Sequence, residues 1–236
     1  MLEHLDIRNL ATTNYCFVRR FIELMPLETL YLARQSNADL RMFSEFRGEF
    51  RATLLVDRNH LDYESVTYSD MINRPHKLTP VYNLSVHMGP HINPEALIAK
   101  MVKQVYRTLY IYGDYHWRQI LDFFHTDLRC VKLYGNMEMP RNEMTDFFTT
   151  LLGRLIPWVI ILNENSDGTW IHYARQVWSD WEHASSFHAH DGQHYYRLTV
   201  TGKDDVTRRL NIRNWVPQPG DPEEYEKTDA EDNVVE

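Results

Sequence analysis

Two six-residue stretches of the sequence match each other position by position: LYIYGD at residues 109–114 and VKLYGN at residues 131–136. Each has apolar residues at its first and third positions, then Tyr, Gly and finally Asp or Asn. Alternating apolar residues are typical of a β-strand, and Gly followed by Asp or Asn is typical of a tight turn. The stretches begin 22 residues apart, which predicts two copies of one structural unit.

The same alternation of strand and helix patterns continues on both sides of these stretches. Residues 84–87 predict a preceding strand, and residues 159–163 predict a strand that begins 28 residues after residue 131. Apolar residues with helical spacing separate the strands, as they do between residues 144 and 152. The middle of the chain therefore predicts four strand–helix units.

A strand–helix unit that recurs every 22 to 28 residues predicts an α/β fold of leucine-rich-repeat-like units over residues 50–215. One unit cannot bury its own apolar face, so stacked units share a core between a layer of strands and a layer of helices. A doubly wound α/β domain also alternates strands and helices and is the alternative. In both architectures we expect the strands to be largely parallel.

Other patterns flank the repeats. Residues 1–47 predict a helical N-terminal segment. Residues 195–201 and 208–212 alternate around a turn and predict a C-terminal β-hairpin that closes the far end of the repeats. Residues 217–236 contain eight acidic residues and one basic residue, and they predict a disordered acidic tail.

The composition excludes several classes of protein. Apolar residues make up 43% of the chain without a run long enough to span a bilayer, so we expect no membrane partner. The net charge of −8 lies mostly in the tail and leaves no basic stripe, so we expect no nucleic-acid partner. Cys16 and Cys130 are too few for a disulfide scaffold. They are expected to be buried, in an intracellular protein of the cytoplasm or nucleus.

The chain lacks the sequence motifs of phosphate, dinucleotide and zinc-protease sites and of serine hydrolases, so we predict a non-enzyme with no catalytic residue and no cofactor. One histidine-rich segment contains His183, His188, His190, Asp191 and His194. Imidazoles two residues apart share one side of a strand, and imidazole suits zinc. We predict a histidine-rich surface loop without a metal. The alternative is a metal-dependent hydrolase that uses the region of His188 and His190.

The alternation within the matched strands also predicts a surface. Tyr110 and Lys132 occupy equivalent positions between apolar residues, so both side chains are expected on the outward face of the sheet. Side chains on such an outward face are placed for contact with a protein. We therefore predict a partner-binding surface that contains Tyr110 and Lys132.

The N-terminal sequence, MLEHLDIRNL at residues 1–10 and CFVRRF at residues 16–21, resembles the second half of an F-box. That family has Leu-x-x-Leu-Asp-Ile-x-x-Leu followed by a Cys–basic–Phe cluster. The segments LRCVKLYG at residues 128–135 and RLNIRN at residues 209–214 are similar to the F-box-associated domains of nematodes. The first F-box helix has no counterpart before Met1, so we expect a shortened F-box.

This resemblance implies a substrate receptor of a cullin–RING ubiquitin ligase. The F-box of such a receptor binds a Skp-type adaptor, and the repeat domain captures a protein substrate. Carried over to this sequence, the resemblance implies that Leu5, Ile7, Leu10 and Phe21 form the adaptor-binding surface.

Overall fold

The structure is a computed structural model that describes residues 15–58, 65–163, 165–191 and 195–214. Its α-helices are α1 (Tyr15–Leu24), α2 (Leu27–Ser36), α3 (Ala38–Phe43), α4 (Tyr68–Asn73), α5 (Pro94–Ala99), α6 (Met144–Gly153) and α7 (Gly168–Ser179). Its strands are β1 (Glu49–Val56), β2 (Ser65–Val66), β3 (Leu78–Met88), β4 (Thr108–His116), β5 (Cys130–Glu138), β6 (Trp158–Asn163), β7 (Ala184–Asp191), β8 (Tyr196–Gly202) and β9 (Thr207–Asn214). Short 3₁₀-helices span Glu45–Arg47, Trp117–Phe123 and Arg141–Glu143. Within these ranges no helix has the length and apolar character needed to cross a bilayer.

The described strands form one nine-stranded sheet in the order β2-β1-β3-β4-β5-β6-β9-β8-β7. Every neighbouring pair from β2 to β9 is parallel, whereas β8 is antiparallel to both β9 and β7. The predicted mixed α/β fold with a largely parallel sheet is confirmed. From β3 to β6 the spatial order of the strands is also their order in the chain.

The two matched stretches lie in neighbouring strands, β4 and β5. Leu109 pairs with Val131 and Ile111 pairs with Leu133, and all four side chains are buried. Because side chains alternate across a strand, these residues face the main core while the residues between them face the other side. The predicted strands and their parallel arrangement are confirmed.

The helices α4 to α7 contribute buried side chains to the same main core. Helix α5 begins where the sequence indicates, because the Asn93 side chain accepts a hydrogen bond from the Ala96 N–H at 3.1 Å and Pro94 occupies the first turn. The segment after β4 is a 3₁₀-helix instead of the expected α-helix. Its apolar residues Trp117, Ile120 and Phe123 are three residues apart, and a helix with three residues per turn buries all three together.

The N-terminal helices form a second, smaller core. Val18, Ile22, Met25, Leu30 and Leu40 are buried together in this cluster. The predicted N-terminal segment is therefore helical in its described part, from Tyr15 onward. The prediction for residues 1–14 falls outside the described residues. A further expectation is wrong, since Cys16 is exposed on α1, whereas Cys130 is buried as expected.

His188, His190 and Asp191 of the histidine-rich segment lie in the edge strand β7, so the prediction of a loop is wrong for these residues. Residues 186–191 pair with residues 196–201 of β8, and Phe187 packs partly against the main core. This pairing gives the backbone of the segment partners that the sequence pattern did not indicate. Strands β8 and β9 are antiparallel and are joined by residues 203–206. Strand β9, not β7, is the neighbour of β6.

Candidate partner-binding surface

One face of the sheet lies opposite the helices α4 to α7, and we call it the open face. Three rows of side chains lie on this face, and in the described part of the chain none of these side chains belongs to either buried apolar cluster. The central row crosses the whole sheet through Ser65, Leu55, Ser85, Tyr110, Lys132, Ile160, Asn211, Arg197 and His190. The row is therefore continuous in register across nine strands, although five of its side chains are buried: Leu55, Ser85, Lys132, Ile160 and Asn211.

Two further rows run beside the central one. The N-terminal row contains Thr53, Asn83, Thr108, Cys130, Trp158, Arg209, Thr199 and His188. The C-terminal row contains His87, Tyr112, Tyr134, Leu162 and Arg213. The register of a parallel sheet brings equivalent positions of successive strands side by side, about 4.8 Å apart. The rows thus bring together residues that lie far apart in the sequence.

The two residues predicted for the partner-binding surface, Tyr110 and Lys132, are paired directly in β4 and β5. The Lys132 ammonium nitrogen lies 5.2 Å from the centroid of the Tyr110 ring, within the range of a cation–π contact. Tyr110 is half-buried, whereas Lys132 is only 5% exposed. The structure therefore places both residues on the open face, with the tyrosine contributing more surface than the lysine.

Next to this pair, two tyrosines stack on each other. The ring centroids of Tyr112 and Tyr134 are 4.7 Å apart and the planes are inclined by 2°. The Arg58 guanidinium lies 3.7 Å from the centroid of the Tyr112 ring and donates a hydrogen bond to the Ser85 hydroxyl at 3.2 Å. These contacts fix an aromatic and cationic layer at the C-terminal ends of β3 to β5.

Positive charge is concentrated on the other half of the open face. Arg209 is exposed, and Arg197 and Arg213 are half-buried on the neighbouring strands β8 and β9. The Arg197 Nε donates to the Asn211 side-chain oxygen at 3.0 Å, which orients the guanidinium along the sheet. The three rows contain no Asp or Glu, although the whole chain has a net charge of −8. The fold therefore separates the cations of this face from the acidic residues.

Sequence reasoning missed Trp158, Arg197, Arg209 and Arg213 as surface residues. Alternation within residues 195–201 and 208–212 could have assigned the two arginines 197 and 209 to the polar side of their strands. Their position relative to Lys132 could not be obtained in this way. It depends on the pairing of β9 with β6, and no local pattern encodes that pairing.

The N-terminal helices present a second, apolar surface. Phe21, the described member of the predicted adaptor-binding set, is half-buried against the small core. Leu5, Ile7 and Leu10 belong to residues 1–14, which are not described. Large exposed apolar side chains are concentrated in this part of the chain: Phe17, Leu24, Leu32, Met42 and Phe46. We call these five residues the apolar patch.

Buried and surface ion contacts attach the N-terminal helices to the sheet. Arg34 donates hydrogen bonds to the Gly48 carbonyl at 2.7 Å and to the Ser44 carbonyl and hydroxyl. Burial lowers the pKa of Arg34 to about 10. Arg107, which precedes β4, pairs with Glu28 of α2 at 2.7 Å. The pair of Arg107 with Glu28 links α2 to the start of β4.

His188 and His190 lie on the same side of β7, as their spacing predicted, and both are exposed. They face the same side as Thr199 and Arg197 of β8. Among the described residues, no group of three or more His, Cys, Asp or Glu side chains is placed to hold a metal ion. His194 is not among those residues. The arrangement thus supplies two imidazoles, one of which is next to a cation.

Comparisons of the chain with protein-family models, with curated proteins and with solved structures give no match. Function is therefore inferred from the chemistry of the two surfaces. The open face offers aromatic and basic side chains on a rigid sheet, and the apolar patch offers exposed large side chains on short helices. Both features are typical of contact with other proteins.

Proposed function

We propose that the chain is a protein-binding module that acts as an F-box-type substrate receptor of a cullin–RING ubiquitin ligase. The open face captures the protein substrate, and the N-terminal segment binds a Skp-type adaptor. The observation that carries the proposal is the open face, where Tyr, Trp and Arg side chains from neighbouring strands form one surface. These three residue types are enriched where proteins bind each other. The proposal assigns no catalytic residue and no cofactor.

The scaffold in this proposal is leucine-rich-repeat-like. Its support is the chain-order arrangement of β3 to β6, with the helices that follow them on one side of the sheet. A doubly wound domain instead places helices on both faces. In the same proposal β8 and β9 form a C-terminal hairpin that closes the repeats. Terminal closure of this kind protects the core of a repeat array from water.

The apolar patch supports the adaptor-binding part of the proposal. Helix α1 buries Val18 and Ile22 in the small core, yet it also exposes 57% of Phe17 and 66% of Leu24. Phe17 and Leu24 are seven residues apart, so they lie on one side of the helix. A helix with two apolar stripes, one buried and one exposed, suits a segment whose second stripe is covered by a partner.

Substrate capture can be tested by site-specific photo-crosslinking in cells. A benzoylphenylalanine at Thr199, on the open face, is expected to crosslink to other proteins, and substituting Tyr110→Ala and Trp158→Ala in the same chain should abolish these adducts. The matched control places the probe at Arg175, which is exposed on α7 on the helix side. Equal crosslinking from both positions would contradict capture by the open face.

Adaptor binding can be tested by pull-down of a purified Skp-type adaptor. The wild-type chain is expected to retain the adaptor, and both Leu5→Asp with Ile7→Asp and Phe17→Asp with Leu24→Asp should lose it. The control replaces two exposed apolar residues of the repeats, Leu155→Asp and Val206→Asp, and should retain it. If folded wild-type protein recovers no adaptor, the chain is a repeat-domain binding protein that is not part of a ligase.

A further inference from the structure

The charge of the open face differs from that of the chain as a whole. Its cations include Arg197, Arg209 and Arg213, and the three rows contain no carboxylate. In the whole chain acidic residues outnumber basic ones by 33 to 25, so the absence of Asp and Glu from these rows is a local property of the sheet. A concentrated patch of one sign attracts and orients a partner of the opposite sign.

The three arginines lie beside an aromatic and apolar strand. Trp158, Ile160 and Leu162 occupy successive open-face positions of β6, and the next strand, β9, has two arginines on this face, Arg209 and Arg213. Ile160 and Leu162 are buried, whereas Trp158 is half-buried. A ligand that fits this surface therefore combines negative charge with an apolar group that can rest on the indole.

Two polar atoms of this region lack acceptors. The Trp158 indole N–H and the Arg213 Nε–H are buried and have no hydrogen-bond partner in the described part of the chain. Both residues lie on the open face, on neighbouring strands. A partner that supplies carboxylate or carbonyl oxygens could satisfy both donors after a small shift of the flanking side chains, and leaving a buried donor unsatisfied is unfavourable.

The tyrosines argue for a protein rather than for a nucleic acid. Single-stranded nucleic acids bind by stacking bases on exposed aromatic rings. On the open face, however, Tyr112 has Arg58 on its ring and stacks on Tyr134, so the faces of Tyr112 are already in contact. Stacking of a base on Tyr112 would therefore require Arg58 to move.

We infer that the open face binds an acidic segment of its protein partner, with carboxylates at Arg197, Arg209 and Arg213 and an apolar side chain against Trp158. This inference rests on the proposed function, in which the open face captures a protein. It adds the chemistry of the partner, and charge complementarity is the reason for choosing an acidic segment over other occupants.

The test measures binding of labelled probes to the purified full-length chain by fluorescence anisotropy. The main probe is a twelve-residue peptide of Glu interspersed with Phe, and the comparison probe has Lys in place of every Glu. A single-stranded oligodeoxythymidine serves as the nucleic-acid probe. The variant Arg209→Gln with Arg213→Gln removes two cations from the open face. The control Arg154→Gln with Arg175→Gln removes two exposed cations from elsewhere.

We expect saturable binding of the Glu peptide that weakens with salt, about tenfold weaker binding by the open-face variant, and less than about twofold change in the control. Equal loss in both variants, equal binding of the Lys peptide, or no binding of the Glu peptide would overturn the inference. Tighter binding of the oligonucleotide would also overturn it. Circular dichroism of each variant verifies that the fold is intact.

A third variant asks whether the chain's own acidic residues occupy the surface. It is full-length, with the eight acidic residues of 217–236 replaced by their amides. If only this variant binds the Glu peptide, the occupant is the chain's own segment, and the assignment to a partner is wrong. Crosslinking from Thr199 distinguishes a failure of the inference from a failure of the proposed function. Adducts at Thr199 without binding of the Glu peptide would leave the proposed function standing and remove the inference alone.

Discussion

Gly135 lies directly against the backbone of Gly113: a Cβ atom added to Gly135 would be 2.6 Å from the Gly113 carbonyl oxygen. Both glycines have positive φ, +83° at Gly135 and +87° at Gly113. Gly113 in turn lies against the carbonyl of Met88 in β3. Both glycines lie within their strands, β4 and β5, so the expectation that Gly with Asp or Asn makes a tight turn is wrong. The left-handed glycine of β5 instead lies against the backbone of β4, and that of β4 against β3, with no room for a side chain between them.

This contact predicts that Gly135→Ala is strongly destabilising. The left-handed backbone and the contact with the Gly113 carbonyl together should lower the free energy of unfolding by about 2–4 kcal/mol. The control is Gly153→Ala at the end of α6, where an added Cβ meets nothing within 4 Å and alanine favours a helix. Urea denaturation of both variants measures the difference, and equal stability of the two would contradict the stacking argument.

The contact between Trp117 and Glu143 predicts an order of stability among Glu143 variants. The indole N–H of Trp117, which is 1% exposed, donates to the Glu143 carboxylate at 2.6 Å. Glu143→Ala leaves this buried donor without its acceptor, whereas Glu143→Gln retains an oxygen. We expect a lower Tm for the alanine variant than for the glutamine variant, measured by calorimetry at pH 7. Identical values would show that the hydrogen bond does not matter.

The same contact gives a pH dependence. The hydrogen bond from Trp117, assisted by Arg118, lowers the pKa of Glu143 from its ordinary value of 4.5. A carboxyl group with a lowered pKa stabilises the fold above its unfolded pKa and loses that contribution as the pH falls through its folded pKa. The difference in Tm between wild type and Glu143→Gln should therefore persist from pH 7 to pH 5 and shrink below about pH 4.5.

His125 predicts a loss of stability in mildly acidic solution. The His125 ring packs edge-on against the Tyr106 ring, with 4.6 Å between the ring centroids, and burial lowers the pKa of His125 below 6.5. The unfolded chain then binds a proton more readily than the folded chain, so the free energy of unfolding falls as the pH decreases from about 6.5. Urea denaturation at pH 7.5, 6.5 and 5.5 should show a shallower decline for His125→Gln than for wild type. If the free energy of unfolding declines with falling pH equally in His125→Gln and in wild type, other groups cause the acid sensitivity.

The geometry of β7 predicts that the purified chain contains no stoichiometric zinc. Among the described residues of this segment, His188 and His190 are the two imidazoles on one side of β7, and a zinc site needs three or four ligands. Elemental analysis of protein prepared without added chelator or metal measures the content. One zinc per chain that is lost in His188→Ala with His190→Ala, but kept in the exposed control His172→Ala, would favour the metal-dependent hydrolase instead.

Part of the candidate surface could be found from the sequence. The alternation within a strand fixes which side each residue faces, and Tyr110 and Lys132 do lie on the side opposite the main core, where Lys132 is buried. The three arginines of β8 and β9 could not be associated with them in advance. Their proximity results from the pairing of β9 with β6, which joins residues about 50 positions apart in the chain.

The sequence by itself determined the elements whose signals are local. Alternation specified β4 and β5, a continuous apolar run specified β6, and Asn93 and Pro94 specified the start of α5. Each of these signals depends on residues within a few positions of one another, so a single stretch of chain is sufficient to show it.

Only the tertiary structure decided the order of the last three strands, the pairing that makes the histidine-rich segment an edge strand, and the separation of charge on the open face. Each of these depends on contacts between residues that are distant in the sequence, and many alternative pairings satisfy the same local patterns. The physical reason is that local preferences fix the elements, whereas burial of their apolar faces against one another selects a single arrangement of them.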